Sequence, residues 1–195
     1  MKNFNNLLAR HEIRLIAEIG IPIQKTKSIS TEIAIEVIEI KKILLDVLNN
    51  MYVVNINYRM NELYALDKVL YDKELILKNK NLYRILLNYQ NYILFVYLKD
   101  TLFDVLKEVT NPNSITKKIA KYLTDGKVRY FRNSIAHGNY KLLDDSSGME
   151  YWAEKDSKKQ LPLSHFQVTI DELQFWIDLS KTLAITTYLT LLENN

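Results

Sequence analysis

The chain contains no cysteine among its 195 residues. This absence excludes disulfide bonds, thiolate metal sites and a cysteine nucleophile, and it fits a reducing compartment. Glycine and proline are also scarce, with four and three residues, so long regular elements are expected rather than a loop-rich fold. Only three histidines occur, and no spacing of histidines and acids is typical of a metal site, so we expect neither a metal nor another cofactor.

Long apolar runs are missing as well. The longest, from Tyr92 to Leu98, is far shorter than the roughly 20 residues that cross a bilayer. Arg10, Glu12 and Arg14 interrupt the segment that would have to form the apolar part of a secretory signal. We therefore expect a cytoplasmic protein that makes no contact with a membrane.

Positive charge is concentrated in one segment, although the net charge is only +3. Between residues 114 and 141, seven lysines and arginines stand against a single acid, Asp125, so this segment carries +6 and the rest of the chain −3. Such asymmetry indicates an anionic partner, most often nucleic acid. The alternative is a solvated helical face without a partner.

Apolar periodicity predicts an all-α helical bundle, with a small β-hairpin inserted before the C-terminal helix. The N-terminal helices, residues 1–75, are expected to pack on a domain formed by residues 76–195, unless both belong to a single domain. The helix that starts at Ser30 or Thr31 carries apolar residues at steps of four and three, and Ile35, Ile38, Leu45 and Leu48 widen this stripe. Such a wide stripe predicts burial on two sides.

The second half of the chain contains most of the boundary signals. The sequence predicts a short basic helix capped by Ser114, a helix over residues 124–138 that Thr124–Asp125 caps and Gly138 ends, and a hairpin over residues 149–170. Asp171 is predicted to cap the last helix. His11 is expected on the surface and His165 in a structural position. The last helix is expected to turn these residues inward: Leu173, Trp176, Ile177, Ser180, Leu183 and Ala184.

The helix over residues 124–138 contains the most informative string of the sequence: Arg132, Asn133, Ser134, Ile135, Ala136 and His137. At about 100° per residue, Val128, Phe131 and Ile135 share the face that should meet the core. The other side of the helix carries a polar stripe of Arg129, Asn133 and His137, with Arg132 and Ala136 at the edge of the core face.

These residue types suit the cleavage of a phosphodiester. The guanidinium of Arg132 is a permanently charged donor for phosphate oxygens, and His137 can exchange protons near neutral pH. Asn133 lies one turn before His137 and can orient the imidazole or the substrate. The 2′-hydroxyl of RNA can serve as the nucleophile, so the reaction needs no metal. Tyr130 and Tyr140 flank the string and are the tyrosines we expect to contact a base.

The Arg-Asn-x-x-x-His pattern, followed by glycine, resembles the motif of the HEPN superfamily. The resemblance implies a helical bundle that dimerises through the motif helix, with Arg132, Asn133 and His137 as catalytic residues. It also implies metal-independent endoribonuclease activity in toxin–antitoxin growth control or antiviral defence, with an antitoxin or a defence protein as partner. Tyr140 stands three residues after His137, whereas some toxins of the family carry a modified tyrosine two residues after it. RNA backbone contacts are expected from Arg129, Lys127 and Lys121.

Two other functions remain open at this point. A non-catalytic HEPN module would dimerise, or bind RNA or nucleotides, as part of a larger defence system. A purely structural adaptor would instead use the apolar stripe that runs from Ile33 to Tyr58.

Overall fold

The structure is a computed structural model that describes residues 8, 10–22, 28–51, 53–70, 72, 79–143, 147–153 and 164–193. The helices are α1 (Glu12–Arg14), α2 (Ile29–Met51), α3 (Val53–Leu70), α4 (Lys80–Asn91), α5 (Asp104–Val109), α6 (Ile115–Thr124), α7 (Gly126–His137) and α8 (Ile170–Leu192). The strands are β1 (Tyr140–Leu142), β2 (Gly148–Ala153) and β3 (Ser164–Thr169). The predicted helical bundle with a small sheet before the last helix is therefore confirmed.

Three π-helical segments extend the helices. Leu15–Ile19 continues α1, while Tyr92–Tyr97 and Lys99–Phe103 join α4 to α5, so that an almost unbroken helical path runs from residue 80 to residue 109. None of the described helices is both long and apolar enough to cross a membrane.

Polar side chains cap several helices and explain where they begin. The Ser114 hydroxyl accepts a hydrogen bond from the Lys117 backbone N–H, which confirms the predicted cap of α6. Two predicted caps are wrong. The last helix is capped by the Thr169 hydroxyl rather than by Asp171, because the chain leaves strand β3 directly into the helix. The side chain of Asp125 precedes α7 without bonding to any N–H of its first turn.

Helix α8 lies at the centre of the fold. It packs against α2, α6 and the sheet, and its side chains are buried on almost every side. A helix that is apolar all round belongs in the interior, which accounts for this position. The six residues predicted to face inward are all buried: Leu173, Trp176, Ile177, Ser180, Leu183 and Ala184.

The sheet has three antiparallel strands in the order β1-β2-β3. Strands β2 and β3 form the predicted hairpin, with Tyr151 opposite Phe166, while β1 was not predicted. A Cβ atom on Gly148 would lie 2.1 Å from the Val168 carbonyl oxygen, so this position requires glycine. Residues 154–163, in the middle of the predicted hairpin, and residues 144–146 lie outside the described residues.

The segment of residues 10–22, called the N-terminal strap below, packs on the bundle. Its side chains Leu15 and Ile21 are fully buried. His11 was expected on the surface, and this expectation is wrong. Its side chain is only 5% exposed, because Nε2 lies 3.1 Å from an Asp178 carboxylate oxygen and the ring packs on Phe175.

Helix α2 is buried on one side only. Val37 and Leu44 are inaccessible, but Ile35 and Ile38 are 39% and 55% exposed, and Tyr58 on α3 is 60% exposed. The prediction of burial on two sides is therefore wrong, because α8, α6 and α5 all cover the same side of α2. Buried residues from both predicted domains belong to one apolar core. The boundary at residue 75 stays a prediction.

Charged groups inside the bundle are paired. The Asp178 carboxylate accepts hydrogen bonds from Arg10 and from Gln174 Nε2, the latter at 2.9 Å, in addition to its contact with His11. On the same helix, Lys181 Nζ lies 2.5 Å from an Asp67 carboxylate oxygen. Burying a charge without partners costs several kcal/mol, so these contacts hold the strap and α3 against α8.

Replacing Asp178 should release the strap. Asp178→Ala leaves buried His11 without its partner, and we expect the free energy of unfolding to fall by about 3 kcal/mol. Urea denaturation measures this loss, and limited proteolysis should show faster cleavage within residues 10–22. The matched control is Asp171→Ala, an exposed aspartate on the same helix. Equal losses in the two variants would contradict the assigned role of Asp178.

Candidate functional site

The residues of its apolar face determine how helix α7 is rotated about its own axis. Val128, Phe131 and Ile135 are buried, as the helical wheel predicts. The Phe131 ring meets three other aromatic rings at centroid distances of 5.3–5.4 Å: those of Phe95, Tyr151 and Trp176. These rings come from the segment after α4, from β2 and from α8, so α7 is held on three sides.

Ser134 ties the motif to the sheet, a role that the sequence did not reveal. Its hydroxyl is fully buried and lies 2.9 Å from the carbonyl oxygens of both Tyr130 and Trp152. The contact with Trp152 is a hydrogen bond from the helix to strand β2. Ser134 is therefore a structural residue of the motif.

Gly138 ends α7 as predicted. It adopts a left-handed conformation at φ +70°, and its N–H donates to the Ile135 carbonyl at 3.3 Å. The N–H of Asn139 donates to the Ser134 carbonyl at 2.8 Å, which completes the two-bond termination that is frequent at helix ends. The Asn139 carbonyl then accepts from the Trp152 N–H, so the chain passes directly into the sheet.

The polar face of α7 is formed by Arg129, Arg132, Asn133, Ala136 and His137. Arg129, Ala136 and His137 are exposed, while Arg132 and Asn133 are half-buried. Among the described residues, none donates to or accepts from the side chains of Arg129, Asn133 and His137. These groups are thus available to a ligand.

Arg132 Nε is shielded from solvent and has no hydrogen-bond partner within the described part of the chain. The positive charge of this arginine acts on Lys99, which the sequence did not single out. Burial disfavours the charged form of Lys99, but hydrogen bonds to Asp100 and Asp104 outweigh this and raise its pKa, while the Arg132 guanidinium acts to lower it. Lys99 Nζ lies 2.8 Å from an Asp104 carboxylate oxygen.

Asp104 and Asp125 both contact lysines. Asp104 is shared by Lys99 and Lys107, and Asp125 lies 4.0 Å from Lys107. A pairing of Arg132 with Asp125 would have been the simplest structural role for this arginine, and it is not observed. A guanidinium whose Nε is buried and has no partner among the described residues offers a binding position to an anion.

The predicted base-contacting tyrosines are both packed against the protein. The Tyr130 ring stacks on Phe166 at a centroid distance of 5.2 Å and an interplanar angle of 11°. Tyr140 is half-buried in β1, and burial raises its pKa. One face of the Tyr130 ring is therefore occupied within the protein.

Lys121 and Lys127 lie apart from the polar face. They line a cleft of about 780 Å³ between the strap, α6 and the first turn of α7, at the opposite end of the motif helix from His137. The helix between Gly126 and His137 is about 16 Å long. The structure therefore brings Arg129, Arg132, Asn133 and His137 to one face but places the two lysines elsewhere.

Comparison with models of known protein families, with curated proteins and with solved structures found no match for this chain. Within the described ranges, no three histidine, aspartate or glutamate side chains lie close enough together to hold a metal ion.

Gly138 should matter for conformation rather than for chemistry. A Cβ atom there would meet nothing within 4 Å, so Gly138→Ala tests the backbone alone. We expect a loss of about 1–2 kcal/mol in the free energy of unfolding, because alanine is strained at positive φ. Gly138→Asn should lose less, since asparagine tolerates this conformation. Urea denaturation distinguishes the two, and an asparagine variant no more stable than the alanine variant would refute this explanation.

Proposed function

We propose that the polar face of α7 cleaves RNA without a metal, as an endoribonuclease of the HEPN type. The observation that carries the proposal is half-buried Arg132, whose Nε is shielded from solvent and has no hydrogen-bond partner in the described part of the chain. Asn133 and His137 lie on the same polar face of α7, on the side away from the buried residues Val128, Phe131 and Ile135. An anionic substrate would supply the missing partner of Arg132 and reach both polar side chains.

The reaction follows from the groups on this face. His137 takes the proton of the RNA 2′-hydroxyl, and the 2′-oxygen attacks the adjacent phosphorus. Arg132 binds the phosphate oxygens and stabilises the negative charge that develops on them. The bond to the 5′-oxygen breaks, and this oxygen takes the proton that the His137 imidazole has accepted. The products are a 2′,3′-cyclic phosphate and a 5′-hydroxyl. Asn133 orients the imidazole or the substrate, and Arg129 contacts the RNA backbone.

A second copy of the chain would complete the site. The polar face is open to solvent, and exposed Ala136 in its middle is small enough for another helix to approach closely. We therefore propose a homodimer through α7, in which two copies of the motif face each other across the RNA. The biological setting proposed with it is toxin–antitoxin growth control or antiviral defence, together with a partner protein.

A non-catalytic HEPN module that binds RNA is the second candidate. One observation favours it: His137 is exposed, and none of the described residues bonds to its ring to hold the imidazole in place. Positioned proton transfer requires an oriented base. The binding module would show salt-dependent affinity for RNA without cleavage.

RNA cleavage in the presence of EDTA tests the first candidate. Single-stranded RNA should yield 2′,3′-cyclic phosphate ends, and both Arg132→Ala and His137→Ala should lower kcat/KM by at least about 100-fold, the lower range for proton-transfer catalysis. Product ends can be identified by mass spectrometry.

Two matched variants test whether removing any exposed arginine or histidine would lower the cleavage rate. Arg84→Ala removes an exposed arginine from α4, and His165→Ala removes an exposed histidine from the sheet, so both should cleave like the parent protein. Activity that survives in Arg132→Ala or His137→Ala would contradict the assigned site. RNA binding without any cleavage would favour the second candidate.

Ala136→Arg tests the dimer. A long charged side chain in the middle of the polar face should prevent two α7 helices from meeting, so light scattering should show a monomer at a concentration where the parent protein is a dimer. Ala65→Arg, on an exposed position of α3, is the control and should remain dimeric. A parent protein that is monomeric under all conditions would exclude this assembly.

A further inference from the structure

The cleft at the beginning of α7 has the size of a small-molecule site. Its volume of about 780 Å³ lies within the range of roughly 300–1,000 Å³ that ligand pockets span. Ile19 and Val128 supply apolar surface, and the remaining walls are formed mostly by charged and polar residues: Glu18, Lys118, Lys121, Tyr122, Asp125, Gly126 and Lys127. His137 and the other exposed polar groups of the motif do not line it.

Three lysines give the cleft a positive wall, and they differ in how they are engaged. Lys118 Nζ donates to the Gly20 carbonyl at 3.2 Å, and Lys127 lies 3.5 Å from a Glu172 carboxylate oxygen. Lys121 is exposed, and its ammonium group bonds to no other described residue. Its charge is therefore available to an anion in the cleft.

Two carboxylates in the same cleft limit what that anion can be. Glu18 accepts a hydrogen bond from the Tyr122 hydroxyl, and Asp125 lies 4.0 Å from Lys107. These acids stand among the lysines, so a strand with a phosphate at every nucleotide would meet repulsion. One phosphate group can contact the lysines, while the acids and the tyrosine accept from hydroxyl or amino groups on the rest of the ligand.

We propose that this cleft binds a small organic phosphate monoester. The lysines hold the phosphate, and the remaining volume takes the polar organic part. The proposal does not depend on RNA cleavage by the polar face, because neither Arg132 nor His137 lines the cleft and His137 lies at the other end of α7.

The ligand would also connect the strap to the motif helix. Glu18 and Ile19 belong to the strap, whereas Lys121 belongs to α6 and Lys127 to α7, so a bound ligand contacts all three elements. Since a ligand that binds only the folded arrangement stabilises it, amide exchange in residues 10–22 should slow when the cleft is filled.

Isothermal titration calorimetry tests the site with two matched pairs of probes: AMP with adenosine, and ribose 5-phosphate with ribose. We expect at least one phosphate ester to bind and its dephosphorylated match to bind at least about tenfold more weakly, because a charge-assisted contact is lost. Lys121→Glu should weaken binding of that ester by about tenfold or more, whereas Lys42→Glu, an exposed lysine on α2, should not.

The outcomes separate this proposal from that of RNA cleavage. His137→Ala should bind the ester like the parent protein, since His137 lies at the other end of the helix. Binding that persists while RNA stays uncleaved supports the cleft and counts against the ribonuclease. The cleft proposal is overturned if neither ester binds, if Lys121→Glu binds as well as Lys42→Glu, or if an oligoribonucleotide binds there and neither ester does.

Discussion

The packing of Phe131 is the constraint on which the rest of the molecule depends. Its ring is fully buried against rings from three other elements, and burying such a side chain contributes roughly 2–3 kcal/mol. More important than this energy is the geometry, because rings on three sides prevent α7 from rotating. Once Phe131 faces inward, helical periodicity places Asn133 and His137 outward. Ser134 and Gly138 then fix the end of the helix against the sheet.

The consequence of this fixed rotation is electrostatic. Arg132 falls at the boundary between core and solvent, and its Nε is buried without a hydrogen-bond partner among the described residues. The charge of Arg132 disfavours the charged form of Lys99, and hydrogen bonds from Lys99 to Asp100 and Asp104 outweigh this effect. A buried donor without a partner costs stability, and an anionic ligand would supply the missing acceptor.

Central helix α8 holds the N-terminal strap as well as the motif helix. Its buried Asp178 holds the strap through Arg10 and His11, and the strap in turn forms one wall of the cleft at the beginning of α7. Residues of the strap, of α6 and of α7 thus line the same cleft. The motif helix therefore has a polar face near its end and a charged cleft at its beginning, and the same core holds both.

Local patterns in the sequence determined what depends on neighbours within a helical turn: the helical class of the fold, the Ser114 cap, the end of α7 at Gly138, and the faces of α7. Tertiary structure decided which side chains from distant elements meet. It buried His11 against Asp178, left Ile35 and Ile38 exposed, and buried Arg132 Nε without a hydrogen-bond partner among the described residues. The physical reason is the distance along the chain over which each kind of interaction acts. Periodicity and capping act between residues up to four apart, whereas burial and charge pairing depend on which helices pack together, and no local pattern encodes that choice.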